Sequence, residues 1–258
     1  MLNGPTIEKL RQMRLYGMLE ALTEQEEVSH YRELSFYERL GLIVDREYDH
    51  REHRRLKRRL KEASLKQKAQ IEDILFSAER GIDRREILYL SEGQWIKEGH
   101  NIIITGPTGV GKSYIACALC DALIRRGYTG RYYQMSKLLR YLRVWQVEGS
   151  VEKHINALSK VDVMVMDDFL IEEVGVKETR LFFEVVDDRT EKGGMIFCSQ
   201  IPVSGWYERI GDSTLADAIL DRIVHNTYRI ELKGESMRKR KQLYRGDGAS
   251  IKVSEMVE

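Results

Sequence analysis

The spacing of apolar residues changes along the chain and predicts two kinds of structure. Over residues 1–75, apolar side chains recur every three or four positions, as in amphipathic helices. Ser35 and Glu38 have the spacing of a capping box and predict the start of one such helix. From Trp95 onward, short apolar runs alternate with helical spacing instead. A single helix near the amino terminus is expected to contain Leu10, Met13, Leu15, Met18, Leu19 and Leu22.

Five short apolar runs in the second part predict β-strands. Helical stretches separate them, so the strands are expected to be parallel, with helices on both faces of the sheet. The chain is therefore predicted to have an α/β fold preceded by a small all-helical domain. The expected domains are residues 1–75 and residues 76–258, the second ending in a short tail. The predicted strands are residues 101–105, 131–135, 163–168, 195–199 and 228–232.

The residues after the first predicted strand form a complete phosphate-binding motif. They read GPTGVGKS and match the G-x-x-x-x-G-K-[ST] pattern. A strand, a glycine-rich loop and a helix in this order place backbone N–H groups around phosphates at a helix N-terminus. Lys112 is expected to reach the β- and γ-phosphates and the Ser113 hydroxyl to ligate magnesium, so the expected cofactors are ATP and Mg²⁺. The expected nucleotide-binding residues here are Gly106, Pro107, Thr108, Gly109, Val110, Gly111, Lys112, Ser113 and Tyr114.

Polar residues at the ends of later strands extend the predicted site. The run VDVMVMDDF ends in Asp167, expected to hold magnesium opposite Ser113, and Asp168, expected to orient or deprotonate the attacking water. Gln200 ends the next predicted strand, where it fits either a γ-phosphate sensor or an ordinary polar strand end. Arg222, on a later amphipathic stretch, fits either the γ-phosphate of a neighbouring subunit or an Asp–Arg surface pair.

Composition narrows the class of protein. The chain is 42% hydrophobic and 32% charged, with a formal net charge of +1, and it has no apolar run of membrane-spanning length. These values favour a soluble globular protein without a membrane partner. The three cysteines, Cys117, Cys120 and Cys198, lack a second pair at metal-ligand spacing. They are interpreted as buried thiols in a reducing compartment, which indicates the cytoplasm.

Charge is unevenly distributed, and this suggests where nucleic acid binds. Acidic residues predominate between Glu20 and Asp49, and basic residues predominate between Arg51 and Lys68. Such a basic helix fits salt-dependent contact with DNA phosphates, or a solvated face whose cations pair with the acidic segment of a neighbouring subunit. The candidate DNA contacts are Arg54, Arg55, Arg58, Arg59, Lys137, Arg140 and Arg143.

The motifs and the segment at residues 199–240 resemble a known family. GPTGVGKS, VMVMDDF and SQIPVSGWYERIGDSTLADAILDRIVHNTYRIELKGESMRKR are similar to the IstB-type transposition helper ATPases of bacterial insertion sequences. That family belongs to the AAA+ superfamily, near the DnaC helicase loader and the DnaA initiator. The resemblance covers residues 85–242 and implies a P-loop AAA+ core. It also implies non-specific binding to duplex DNA, a partner transposase, and self-association into a ring or spiral.

The resemblance also implies roles for individual residues. Arg222 falls on the arginine-finger position, acting in trans, and Arg238 falls on the sensor-2 position, contacting nucleotide in cis. Gln200 stands at the sensor-1 position, where relatives usually carry Asn, and Asp168 stands where many relatives carry Glu. Each departure changes the side chain by one methylene. We therefore expect slow ATP hydrolysis that is stimulated by DNA or by transposase.

The sequence leaves rival functions open. A DnaC-like replicative helicase loader would have the same ATP chemistry and a different client. A small-molecule P-loop kinase would need an acceptor site and a lid with arginines acting in cis. A nucleotide-dependent DNA clamp would bind ATP without useful hydrolysis.

Overall fold

A computed structural model of the chain describes residues 4–190 and 192–237. The chain divides into two compact units, Met1–Lys61 and Glu62–Glu258. No helix among the described residues is long and apolar enough to cross a lipid bilayer.

The first unit is helical, as its apolar spacing predicted. Its elements are α1 (Gly4–Gln12), α2 (Tyr16–Glu27), a 3₁₀ turn (Ser29–Glu33) and α3 (Phe36–Ala63), whose last turn contains the division between the units. The capping box predicted at the start of α3 is confirmed. The Ser35 N–H donates to Glu38 Oε2 at 2.8 Å, and the Glu38 N–H donates to Ser35 Oγ at 3.3 Å.

The prediction of a single helix across residues 10–22 is wrong. The first helix ends in a Schellman-type pattern, in which the Leu15 N–H bonds Leu10 O and the Arg14 N–H bonds Arg11 O. Arg14 takes the left-handed conformation that this cap requires, with φ of 58°. Glycine usually occupies that position, so an arginine there gave no signal that the helix stops.

A carboxylate from α3 caps the second helix. Glu47 is 4% exposed, and its Oε2 accepts from the N–H groups of Gly17 and Met18 at 2.8 and 3.2 Å. These are first-turn donors of α2, which have no partner within the helix itself. Gly17 has no room for a side chain, because a Cβ there would lie 2.6 Å from Arg46 O. The buried acid and the glycine together fix how α2 and α3 cross.

The second unit is built on a five-stranded parallel sheet in the order β2-β3-β4-β1-β5. All five predicted strands are confirmed to within one residue, and so is the predicted α/β fold. Its strands are β1 (Asn101–Thr105), β2 (Gly130–Gln134), β3 (Val163–Asp167), β4 (Gly194–Ser199) and β5 (Thr227–Glu231). Its helices are α4 (Arg84–Glu92), α5 (Gln94–Lys97), α6 (Lys112–Arg125), α7 (Met135–Val147), α8 (Val151–Ser159), α9 (Val176–Arg189) and α10 (Ser213–Val224).

The inner strands are buried on both faces, as helices on both sides of a parallel sheet require. Phe169 lies at the centre of an aromatic cluster, with ring centroids 4.8 Å from Phe197 and 4.7 Å from Trp206. At the amino ends of the strands, the buried guanidinium of Arg189 donates to three backbone carbonyls, those of Leu158, Val161 and Gly194. Burial lowers the pKa of Arg189 to about 10. Arg189 thereby ties the end of α9 to the residues before β3 and to the start of β4.

Residues 62–75 belong to the second unit, and the 3₁₀ turn Ile71–Asp73 within them packs on α6. Ala63, Ala69, Ile71 and Ile74 are buried there. The domain boundary expected after residue 75 thus lies further along the chain than the division between the compact units. That boundary stays a prediction about where independently folding domains end.

Candidate active site

The loop between β1 and α6 has the backbone of a phosphate-binding loop. Gly106, Gly109 and Gly111 have φ of 142°, 85° and 108°, a region that side chains disfavour. The helix α6 begins at Lys112, so its first-turn N–H groups face the space above the loop. Lys112 Nζ donates to Gly106 O at 2.6 Å and to Pro107 O at 2.8 Å. Its burial lowers the pKa of Lys112.

The segment after β5 lies against this loop, and we name residues 232–237 the strap. Backbone bonds run from the Leu232 N–H to Thr105 O and from the Met237 N–H to Gly109 O, at 2.8 and 2.9 Å. A Cβ on Gly106 would lie 2.3 Å from Leu232 O, and one on Gly109 would lie 2.1 Å from Ser236 Oγ. The strap therefore needs both glycines for its close approach.

Asp167, at the end of β3, is the centre of a buried hydrogen-bond network. Its side chain accepts from Ser113 Oγ at 2.8 Å, from Lys66 Nζ at 2.8 Å and from Tyr132 OH at 2.5 Å. Burial alone would raise the pKa of Asp167, but the hydrogen bonds from Lys66, Tyr132 and Ser113 outweigh it and lower the pKa. Asp167 is therefore held as a carboxylate beside the hydroxyl of Ser113.

Asp168 follows in the left-handed conformation, with φ of 56°. Its Oδ2 accepts from Gln134 Nε2 at 3.0 Å, and its side chain is 37% exposed. Aspartate tolerates this backbone better than most residues do. The backbone and Gln134 thus hold the Asp168 carboxylate next to the hydrogen-bond network of Asp167, where it stays accessible to solvent.

A cleft of about 590 Å³ at the carboxyl ends of the strands is lined by most of the predicted phosphate-loop residues and by Asp168, and Asp167 adjoins it through its bond with Ser113. Gln200 joins them, because Thr108 Oγ1 donates to Gln200 Oε1 at 2.5 Å. Sequence reasoning missed several residues that contact the predicted ones. Among them are Lys66, Tyr132, Gln134 and Arg80, whose Nη2 donates to Val110 O at 2.7 Å. The cleft walls include Lys66, Gln67, Ile74, Leu75, Arg80, Thr108, Gly109, Gly111, Lys112, Ser113, Tyr114, Asp168, Gln200 and Met237.

The residues present fit magnesium bound together with phosphates. Ser113 Oγ and the Asp167 carboxylate are hard oxygen donors 2.8 Å apart, and Asp168 adds a third oxygen source. No group of three or more His, Cys, Asp or Glu side chains that could hold a metal occurs among the described residues. Magnesium is commonly held by one or two carboxylates, water and substrate phosphates, so Ser113 and Asp167 suffice on the protein side.

Arg222 lies at the opposite end of the sheet from the cleft. Its carbonyl accepts from Asn101 Nδ2, and Asn101 is the first residue of β1, whose last residue leads into the phosphate loop. A strand of this length spans about 13–17 Å. The guanidinium pairs with Asp187 at 2.7 Å and lies 4.9 Å from the centre of the Phe183 ring. Arg222 is therefore remote from the cleft of its own chain, and the Asp–Arg pair considered from the sequence is present.

The other predicted residues lie outside this cluster. Arg238 is outside the described residues. Arg54, Arg55 and Arg58 are exposed and Arg59 is half-buried along α3, while Lys137, Arg140 and Arg143 are exposed along α7. Acidic residues lie beside some of these arginines: Arg55 pairs with Glu52, and Arg143 pairs with Glu178. The structure thus leaves cations accessible on both helices.

The three cysteines are free and buried, as predicted. Burial raises the pKa of Cys117 to about 11 and also raises that of Cys120 and Cys198. Because the thiolate is the reactive form, we expect negligible labelling of the native chain by a thiol-specific disulfide reagent at pH 8. All three thiols should react at once after denaturation. Rapid labelling of the native chain would contradict this placement.

Comparison with known proteins finds similarity to ATP-binding proteins of insertion sequences. A family model described as IstB-like ATP binding protein matches residues 8–244. An insertion sequence ATP-binding protein of Sinorhizobium fredii, y4pL, is 39% identical over 93% of this chain and 98% of its own length. The corresponding protein of IS1162 from Pseudomonas fluorescens is 40% identical over 79% of this chain and 89% of its own length. That of IS21 from Pseudomonas aeruginosa is 31% identical over 90% of this chain and 86% of its own length.

Solved structures share the fold at low sequence identity. DnaI is 20% identical, with a TM-score of 0.56 over 64% of this chain and 92% of its own. AMPPCP-bound DnaA from Aquifex aeolicus is 17% identical, with a TM-score of 0.58 over 74% of this chain and 58% of its own. The core is thus a P-loop AAA+ fold, as its sheet order and phosphate loop indicate.

Proposed function

Since the chain belongs to the IstB-like family of ATP-binding proteins, we propose that it is an ATP-dependent, DNA-binding helper of transposition. It assembles on target DNA and recruits or activates a partner transposase. The observation that carries this proposal is near full-length similarity to insertion sequence ATP-binding proteins, joined to an ATP cleft built from the expected residues. The buried thiols fit a reducing cytoplasm as the setting.

Each residue of the cleft has a defined part in the proposed hydrolysis. The loop glycines and Lys112 bind the phosphates. Ser113 and Asp167 would hold magnesium, which would supply positive charge to neutralise the phosphates. Asp168 orients or deprotonates the attacking water, and Gln200, held by Thr108, contacts the γ-phosphate side. Arg238 contacts nucleotide in cis, as its family position implies. We propose slow hydrolysis, stimulated by DNA or transposase.

The proposed site is completed by a second copy of the chain. Arg222 cannot reach the cleft of its own subunit from the other end of the sheet, and its side chain is 29% exposed. Head-to-tail contact between subunits, in which different surfaces meet, generates a ring or a spiral. In such an assembly Arg222 of one subunit supplies positive charge to the γ-phosphate bound by its neighbour.

A pull-down with transposase and with replicative helicase tests the client. We expect the full-length protein, loaded with a non-hydrolysable ATP analogue and duplex DNA, to retain the transposase and not the helicase. The opposite result would favour the helicase loader, which the likeness to DnaI leaves open because it concerns the fold alone. Electron microscopy of the protein with duplex DNA, with and without ATP, tests ATP-dependent assembly.

We expect the basic residues of α3 to control the salt dependence of DNA binding. Replacing Arg54, Arg55, Arg58 and Arg59 with glutamine should weaken binding at every DNA sequence. It should also reduce the slope of log affinity against log salt by about 0.9 for each phosphate that the variant no longer neutralises. Fluorescence anisotropy of labelled duplex DNA over a salt series measures both quantities.

A second variant controls for the loss of four charges. It removes four exposed cations from the other unit: Lys97, Arg125, Arg126 and Lys192. This control should bind DNA with the wild-type salt slope. An unchanged slope in the α3 variant would assign those arginines to a solvated face instead. The same titration of Lys137, Arg140 and Arg143 variants tests α7 separately.

A further inference from the structure

Lys66 is a cation in the cleft that the proposed function does not use. Its Nζ lies 2.8 Å from Asp167 Oδ2 and 4.0 Å from Asp168 Oδ2, so it faces both acids of the site. It lines the same cleft as Lys112, Ser113 and Gln200. The phosphate end of the site therefore contains two lysines, of which only Lys112 belongs to the phosphate-loop motif.

The backbone around Lys66 is fixed on the helix that follows the phosphate loop. We name residues 64–70 the linker. Burial raises the pKa of the Cys117 thiol on α6, and the nearby backbone N–H groups of Gln67 and Lys66 partly offset that rise. The Gln70 N–H donates to Tyr114 OH at 3.4 Å, and Ala69 is buried. Lys66 thus reaches Asp167 from an anchored main chain, although its own side chain is 36% exposed.

Lys66 and magnesium are alternative partners for the same oxygen. Asp167 Oδ2 already accepts from Lys66, Ser113 and Tyr132. A magnesium ion lies about 2.0–2.1 Å from its oxygen ligands, and a doubly charged ion there repels an ammonium group a few ångströms away. The long, flexible stem of lysine lets its head group move without moving the main chain. Metal binding at Asp167 therefore displaces Lys66 towards the next available anion.

We propose that Lys66 is a positioning residue of the phosphate site that exchanges with magnesium: it neutralises Asp167, and it turns to the terminal phosphate of ATP when the metal takes the carboxylate. Asp168, to which the attacking water is assigned, and Gln200, to which the γ-phosphate is assigned, line the same cleft as Lys66. ADP lacks this phosphate, so Lys66 distinguishes the two nucleotides. The inference rests on the proposed use of ATP and deepens it.

Equilibrium binding of ATP and ADP to the full-length chain tests the exchange. We expect Lys66→Met to weaken ATP binding in the presence of magnesium about tenfold, which equals about 1.4 kcal/mol. ADP binding should change less than about twofold. Lys66→Arg keeps the charge and should stay close to wild type in ATP affinity.

A matched variant separates this role from a structural one. Lys68→Met removes a neighbouring lysine that does not line the cleft, and it should leave all of these binding constants unchanged. Equal weakening of ATP and ADP by Lys66→Met would overturn the proposal, since it would indicate only a damaged fold. Unchanged binding of both nucleotides would also overturn it. Failure of wild type itself to bind ATP would instead refute the proposed function.

Amine labelling of the wild-type protein, read by mass spectrometry on the linker peptide, gives a test without substitution. We expect the Lys66 amine to react fastest in the magnesium–ADP complex, because neither Asp167 nor a γ-phosphate holds it there. It should react more slowly in EDTA and in a magnesium complex of a non-hydrolysable ATP analogue. A Lys66 labelling rate that is identical in all three conditions would contradict the exchange, and this test holds even where Lys66→Met fails to fold.

Discussion

Replacement of Arg222 with alanine is expected to reduce DNA-stimulated ATP hydrolysis about a thousandfold or more, the usual effect of removing an arginine finger. ATP binding should persist, because Arg222 lies at the amino end of β1 and the cleft lies at its carboxyl end. The reason is electrostatic: a guanidinium stabilises charge that develops on the transferred phosphoryl group. Steady-state hydrolysis and equilibrium nucleotide binding measure the two effects separately.

Asp187→Asn is the matched control for this variant. It weakens the intrachain pair with Arg222 at 2.7 Å but leaves the guanidinium in place. If Arg222 serves only that pair, both variants should lose activity equally. If Arg222 acts in trans, Asp187→Asn should keep most of the hydrolysis.

Mixing two inactive variants tests the trans arrangement directly. In a mixture of Arg222→Ala and Asp168→Asn subunits, some interfaces join an intact cleft to an intact arginine. When equal amounts of the two variants assemble at random, head to tail, about a quarter of the interfaces are of this kind. Activity should therefore return on mixing, and a mixture that stays inactive would contradict shared sites.

Replacement of Asp168 with asparagine is expected to reduce hydrolysis about a hundredfold to ten-thousandfold, the range for loss of a general base. Asparagine keeps the size of the side chain and can still accept from Gln134, so ATP binding should be retained. Subunits should then remain assembled on DNA after ATP addition. Phosphate release and the lifetime of the DNA complex measure these outcomes.

Nearby acids provide the control for Asp168. Glu172 and Glu173 are exposed in the same loop, and their replacement with glutamine should leave hydrolysis within about twofold of wild type, as usual for surface changes. Rapid hydrolysis by Asp168→Asn would transfer the role of base to another group. Dissociation of that variant from DNA at the wild-type rate would separate hydrolysis from release.

The structure also offers a physical reason for aspartate at position 168. Its φ of 56° is in the left-handed region, where short polar side chains that bond locally are favoured over longer ones. A glutamate at this position would reach further but would suit this backbone less well. Aspartate at position 168 therefore fits the backbone better than glutamate would, but its carboxylate reaches less far towards the attacking water.

Local sequence signals were sufficient to predict the strands of the sheet and the phosphate-loop side of the cleft. The strands are short apolar runs, and the phosphate loop is a contiguous motif whose glycines and lysine must adopt one backbone. Asp167 and Gln200 were placed correctly beside the loop because the carboxyl ends of parallel strands meet at one edge. The roles predicted for them stay predictions.

The missed residues had no local signal. Lys66 and Asp167 are separated by 101 positions, and nothing around Lys66 distinguishes it from the other lysines of a basic run. Tyr132 has the ordinary apolar spacing of a strand, and only the fold directs its hydroxyl to Asp167. The break at Arg14 depends on a left-handed arginine, which sequence patterns do not reveal. Contacts across long chain separations therefore account for most of what sequence reasoning missed.

The strap imposes different limits on substitution and on chain length. It meets the phosphate loop through main-chain bonds, from Leu232 to Thr105 and from Met237 to Gly109. Side chains take no part in these bonds, so homologous chains can vary much of the strap's sequence and still form them. One inserted or deleted residue would shift the register and leave the loop uncovered. Across insertion elements, this stretch should therefore diverge in sequence while its number of residues stays constant.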